Sequence, residues 1–68
     1  MKHKNLNYEK KLSKRNGQMR WLVVERPTGN IISEQVFEDE ADDIVKFQNK
    51  NKQWAPKGFP EYMTLGKL

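Results

Sequence analysis

The stretch Met-Arg-Trp-Leu-Val-Val at residues 19–24 is the one place in this sequence where four large apolar side chains stand side by side. A run that short, rich in Trp and Val and followed by a Pro/Gly turn, predicts a strand paired on both sides. It therefore belongs at the centre of a small sheet. The remaining chain supplies the parts such a strand needs: a hairpin partner, a covering helix and a third strand for the other edge.

Residues 18–26 form the expected first strand, and Pro27-Thr28-Gly29-Asn30 comes directly after it. Pro presets the backbone for the first turn position and Gly29 tolerates the left-handed region, so residues 31–37 become its antiparallel partner. Whether the loop counts three or four residues decides which face Trp21 shares with Val36, because one step of register exchanges faces. The sequence leaves that open. Residues 38–55 predict a helix, with Asp39, Glu40, Asp42 and Asp43 near its start and Lys46, Lys50 and Lys52 near its end, complementing the helix dipole. Asp39 is the expected N-cap. Ala41, Ile44, Phe47 and Trp54 fall in one broad sector, with Val45 at its border and Gln48 and Asn51 interrupting it, and this face is expected on the sheet. Pro56 ends the helix. Residues 59–65 are the expected last strand, entering beside the first through a right-handed crossover, with Pro60 confined to an edge or strand start.

The fold class expected is thus α+β: a three-stranded antiparallel sheet (order 2-1-3 among the predicted strands, ββαβ) with one helix packed on one face. Its core is expected from Trp21, Leu22, Val23, Val24, Ile32, Val36, Phe37, Ile44, Phe47, Trp54, Phe59, Met63 and Leu65.

At 68 residues and 35% hydrophobic content there is material for one modest core. Folding at this size buries only ~60% of the unfolded surface, which leaves little room for a deep catalytic pocket. Cysteine is absent, so neither a disulfide nor a thiolate metal site is expected, in keeping with a reducing cytoplasm. No apolar run reaches the ~20 residues that span a bilayer, and no signal-peptide core is seen. A soluble cytoplasmic protein, monomeric or weakly dimeric and without membrane association, is the expectation.

The net charge of +4 is unevenly placed. Residues 1–18 carry Lys2, Lys4, Lys10, Lys11, Lys14 and Arg15 against Glu9 alone, whereas the remainder is net −1. With Leu6, Tyr8 and Leu12 scattered among Lys and Asn and an Asn16-Gly17 turn at its end, residues 1–18 read as a flexible basic arm preceding a mini-domain at 19–68. Those six basic residues could neutralise phosphates, so nucleic-acid binding by the arm is one functional reading. Against it, Glu25, Glu34 and Glu61 stand beside Arg20 and Arg26 in the strands that would read a groove.

No constellation points to catalysis. Asp39, Glu40, Asp42 and Asp43 spread around a helical turn rather than converging as cation ligands do, His3 has no partner in sequence, and Ser13 and Ser33 lack a nucleophile's setting. Neither an enzyme nor a metal or cofactor is expected. A helix on one sheet face leaves alternate residues of the first strand on the other, either Trp21/Val23 or Leu22/Val24. An apolar patch rimmed by charge reads as a protein-binding surface, with Arg20, Trp21, Val23 and the later Tyr62 as candidate contacts.

Asp39-Glu40-Ala41 opening the helix, Phe47-Gln48 within it, and Pro56-Lys57-Gly58-Phe59 leading to the last strand together resemble the small inhibitor of bacterial RNA polymerase made by T7-like phages. The resemblance covers residues 19–65. It implies the same hairpin, helix and strand order, a phage-encoded protein acting in the host cytoplasm, and a host enzyme such as RNA polymerase as partner. The family's last strand carries arginines that meet an acidic polymerase surface, whereas residues 59–65 here include no basic residue.

Overall fold

The computed structural model describes residues 6–68. It is an α+β structure: strands β1 (Asn7–Arg15), β2 (Gln18–Arg26) and β3 (Ile31–Gln35), then helix α1 (Glu38–Asn51) and a 3-10 turn at Glu61–Met63. The sheet is antiparallel throughout in the order β1-β2-β3, with α1 packed against it. The apolar run at 19–24 does hold the central strand, and Leu22, Val23 and Val24 are all fully buried.

Its second neighbour differs from expectation. Half of the predicted flexible arm is β1, paired residue for residue with β2 from Asn7↔Arg26 to Arg15↔Gln18. The loop between them is only Asn16-Gly17, at φ +52° and +80°. Positive φ at both central residues defines the turn whose twist matches that of paired strands, and Asn-Gly is its preferred sequence. With that side of β2 taken, residues 59–65 do not enter the sheet there. Pro60 and the 3-10 turn interrupt them, and the tail instead runs along β3, where the Ile31 amide donates to the Gly66 carbonyl at 2.8 Å and the Leu68 amide to the Gly29 carbonyl at 3.0 Å. The expected ββαβ order 2-1-3 is replaced by β1-β2-β3-α1 with the tail bridging Asn30 and Lys67.

The β2–β3 register shifts between Val23 and Val24, so that Val23 faces Ser33, Val24 faces Ile31, and Ile32 is the extra residue. The shift resolves the open register question: Trp21 lies opposite Gln35 rather than Val36. Leu6, Tyr8, Val23 and Ala41 form the core beneath the helix, joined by Trp21, Ile32, Ile44, Val45 and Trp54. On the far face Leu22, Val24 and Ile31 form a second cluster.

Several expected core residues lie outside. Val36 and Phe37 are exposed because β3 ends before them, and Phe37, 66% exposed, is the N-cap position in place of Asp39. Phe47 is also exposed, since the inward stripe of α1 is Ala41 and Gln48, both buried, with Ile44 and Val45 partly buried between them, spaced i, i+3, i+4 and i+7, and Phe47 falls beside it. Met63 and Leu65 are half exposed on the tail. The helix stops at Asn51, where Lys52 turns left-handed at φ +49° and its amide closes on the Gln48 carbonyl at 2.9 Å. Within its last turn, the Asn49 side chain pairs with the outer edge of β1, accepting from the Tyr8 amide at 2.9 Å and donating to the Tyr8 carbonyl at 3.0 Å.

Candidate functional site

The least expected feature of the interior is a carboxylate. Glu25, near the end of β2, is fully buried, and no cation touches it among the described residues. Hydrogen-bond donors surround it instead. The Tyr8 hydroxyl donates to Oε2 at 2.6 Å, the Thr28 hydroxyl to Oε1 at 2.6 Å, the Asn30 amide to Oε1 at 3.3 Å, and the Phe59 backbone N–H to both oxygens at 2.9 and 3.1 Å. A buried carboxylate is tolerated when its lone pairs are filled in this way. Burial, and then the bond to Glu25, pushes the Tyr8 hydroxyl well above its usual pKa. Tyr8, Glu25 and Asn30 are shut off from solvent, and what the cluster produces is position.

It positions the segment after the helix. Pinning the Phe59 amide to Glu25 brings the Phe59 ring against Trp54 edge to face, with centroids 5.2 Å apart and planes at 78°. Gly58 makes the close approach possible: it sits at φ +99°, and a Cβ there would lie 3.1 Å from Glu25 Oε1 and 3.3 Å from Thr28 Cγ2. Trp54, Pro56, Phe59 and Pro60 then line an open concavity of about 480 Å³, with Gln53, Lys57 and Glu61 contributing polar edges. The chain leaves it into Tyr62, which is 90% exposed, and on to Met63, Leu65 and Leu68, each about half exposed.

The candidate contacts read from the sequence divide accordingly. Tyr62 stands free on the surface, but Val23 is core under α1 and unavailable to any partner, and Trp21 is partly buried beneath the Lys10 ammonium, 5.4 Å above its ring. Arg20 lies on the far face near Glu34. The apolar sheet face expected to be open is closed: Val23 is covered by the helix, and Leu22 and Val24 on the other face are fully buried in a cluster with Ile31.

The basic residues are also regrouped. Lys10 faces the helix and is held by Glu38 at 2.8 Å and Asp42 at 2.6 Å, and these carboxylates, Asp42 foremost, raise its pKa. Lys11, Lys14 and Arg15 are fixed along β1 rather than on a loose arm. Lys2 and Lys4 lie outside the described residues. Among the described residues no helix is long and apolar enough to cross a membrane.

The sequence signal for this site was weak. Glu25 looks like any strand acid, and only the fold brings Tyr8 and Phe59 to it. Comparison with known proteins finds no matching protein family, no matching curated protein and no matching solved structure.

Proposed function

We propose that this chain is a small non-catalytic protein-binding module whose contact surface is its C-terminal segment. The observation that carries the reading is the exposure of Tyr62, Met63, Leu65 and Leu68 directly beyond the concavity lined by Trp54, Pro56, Phe59 and Pro60. In a chain of mean hydropathy −1.01, apolar side chains gathered outside the core on one stretch are the raw material of a binding surface. Tyr62 has the character of an anchor, offering a large rigid ring with a polar tip. Tyr62 is thus retained from the candidate contacts, while the rest of the surface shifts from the first strand to the tail. The resemblance to the phage polymerase inhibitors names the partner to try first, a bacterial RNA polymerase in the host cytoplasm.

The test is binding to purified bacterial RNA polymerase and inhibition of its transcription, comparing the native chain with Tyr62→Ala. The substitution removes no internal contact, so thermal stability should change by no more than about 0.5 kcal/mol. A central anchor contributes ~2 kcal/mol or more, so affinity should fall by roughly 30-fold. Unimpaired transcription with the protein in excess removes polymerase as the partner.

A further inference from the structure

We propose that the outer half of the β1–β2 hairpin is a binding site for duplex DNA, entering the major groove as a two-stranded ribbon. It goes beyond the protein-binding reading and lies at the other end of β2 from the C-terminal surface.

β3 pairs with β2 only from Trp21 inward, so from Arg20 outward the sheet is two strands wide. This overhang is chemically uniform. Between Lys10 and Val24 the sequence includes no acidic residue. Residues directly opposite in an antiparallel pair share a face, and the register sets Arg15 against Gln18, Ser13 against Arg20 and Lys11 against Leu22. Lys11, Ser13, Arg15, Gln18 and Arg20 therefore stand together on the far face, every one able to donate a hydrogen bond. Leu12 and Met19 fall on the opposite face with Lys14.

The arginines are loosely engaged. The single acid near them, Glu34, lies 3.8 Å from Arg15 Nε and 4.0 Å from Arg20 Nε, beyond hydrogen-bond distance. Arg20 otherwise donates to the Met19 carbonyl and to the Gln18 side chain, both contacts that a phosphate can replace. Lys11 and Lys14 have no ion pair among the described residues. The acids that weighed against groove reading from sequence are elsewhere: Glu25 is buried in the core and Glu61 is on the tail. Lysines that merely guard an exposed strand edge would account for Lys11 and Lys14, but not for the gathering of Arg15, Gln18 and Arg20 with them at one end of the hairpin.

The geometry selects duplex DNA among anionic polymers. Two strands ~4.8 Å apart fit a B-form major groove ~12 Å wide. The major groove of A-form RNA is too narrow to admit them. Single strands are bound on aromatic stacking platforms, and both aromatics of this hairpin face the helix side, Tyr8 buried in the core and Trp21 under Lys10.

The experiment is fluorescence anisotropy with a short mixed-sequence DNA duplex, titrated from about 50 to 200 mM salt. If Lys11, Arg15 and Arg20 each neutralise one phosphate, log affinity should fall against log salt with a slope of about −3. Replacing Arg15 and Arg20 together by Gln should reduce that slope by about 2. Replacing Lys2 and Lys4 by Gln should leave it unchanged, and Glu34→Gln should tighten binding severalfold. Duplex RNA and single strands should bind more weakly. The proposal is overturned by absence of saturable DNA binding at low salt, by a slope that tracks Lys2 and Lys4 instead, or by single strands binding as tightly as duplex. Displacement of the DNA by polyglutamate at equal charge also overturns it, making the hairpin a site for an acidic protein.

Discussion

The Tyr8 hydroxyl donates to the buried Glu25 carboxylate at 2.6 Å, a bond between neighbouring strands that lie directly opposite at this position. It links the start of β1 to the end of β2, and through Glu25 to the Phe59 amide and the wall of the concavity. Tyr8→Phe keeps the ring and removes the donor. A hydrogen bond to a charged group contributes ~1.5–3 kcal/mol, and a loss of that size should appear in urea denaturation with little change in slope.

Burial of the Tyr8 hydroxyl, together with the same bond, makes stability depend on alkaline pH. Because the folded-state pKa of Tyr8 is raised above the ordinary value of 10.0, the folded chain holds its proton longer than the unfolded chain. The stabilisation is fully present below about pH 10 and is lost as pH rises toward the folded value. Tyr8→Phe should flatten the decline in stability above about pH 10, and denaturation of both proteins over that range checks it. An identical decline in the two would sink the account.

Glu25→Gln is the harsher change. It places an amide donor where Tyr8, Thr28, Asn30 and Phe59 already point donors, leaving at least one buried group unpaired. A cost on the order of 3 kcal/mol or more is expected. In a double-mutant cycle with Tyr8→Phe the two losses should not add, because they remove one shared contact.

Removing residues 1–15 tests β1 directly. Read from the sequence as an arm, this stretch should contribute little. In the fold it carries Leu6 and Tyr8 into the core and pairs with all nine residues of β2. The expectation from structure is that residues 16–68 show no cooperative thermal transition by circular dichroism, since two strands and a helix cannot seal Val23 from water. A truncated chain melting like the native one would contradict the pairing.

Asn49→Ala removes both side-chain bonds to the Tyr8 main chain. Each net contribution is about 1 kcal/mol, so stability should drop by ~1–2 kcal/mol, and the Tyr8 amide should lose its protection against hydrogen exchange.

Local pattern made the centre of the sheet and the helix legible in the sequence. The apolar run at Trp21–Val24 marks the sheet centre because no other segment is apolar on both faces, and the acids and lysines at opposite ends of residues 38–52 mark the helix. β1 was harder to see. Leu6, Tyr8 and Leu12 all stand at even positions, the strand period, but Tyr8 and Leu12 are also four apart, which fits a helical turn, and lysines fill the positions between. Asn16-Gly17 was the deciding signal, since ahead of an apolar strand it announces a hairpin rather than the end of an arm. Once β1 holds that slot, the C-terminal segment is displaced to β3. The Glu25 cluster could not be read at all, because its donors come from β1, the β2–β3 turn and a segment far along the chain at Phe59.

The Asn49 amide against Tyr8 bears on how copies of this chain behave toward one another. Sheets grow by adding strands to free main-chain edges, and here β1 is plugged at Tyr8 while the tail covers β3 at Asn30 and Ile31. The outer part of the basic hairpin lies beyond both. Two copies joining there would set Lys11, Lys14 and Arg15 against the same residues of the other. Added salt weakens that repulsion, so ionic strength should act on self-association and on DNA in opposite directions, favouring the first as it dissolves the second.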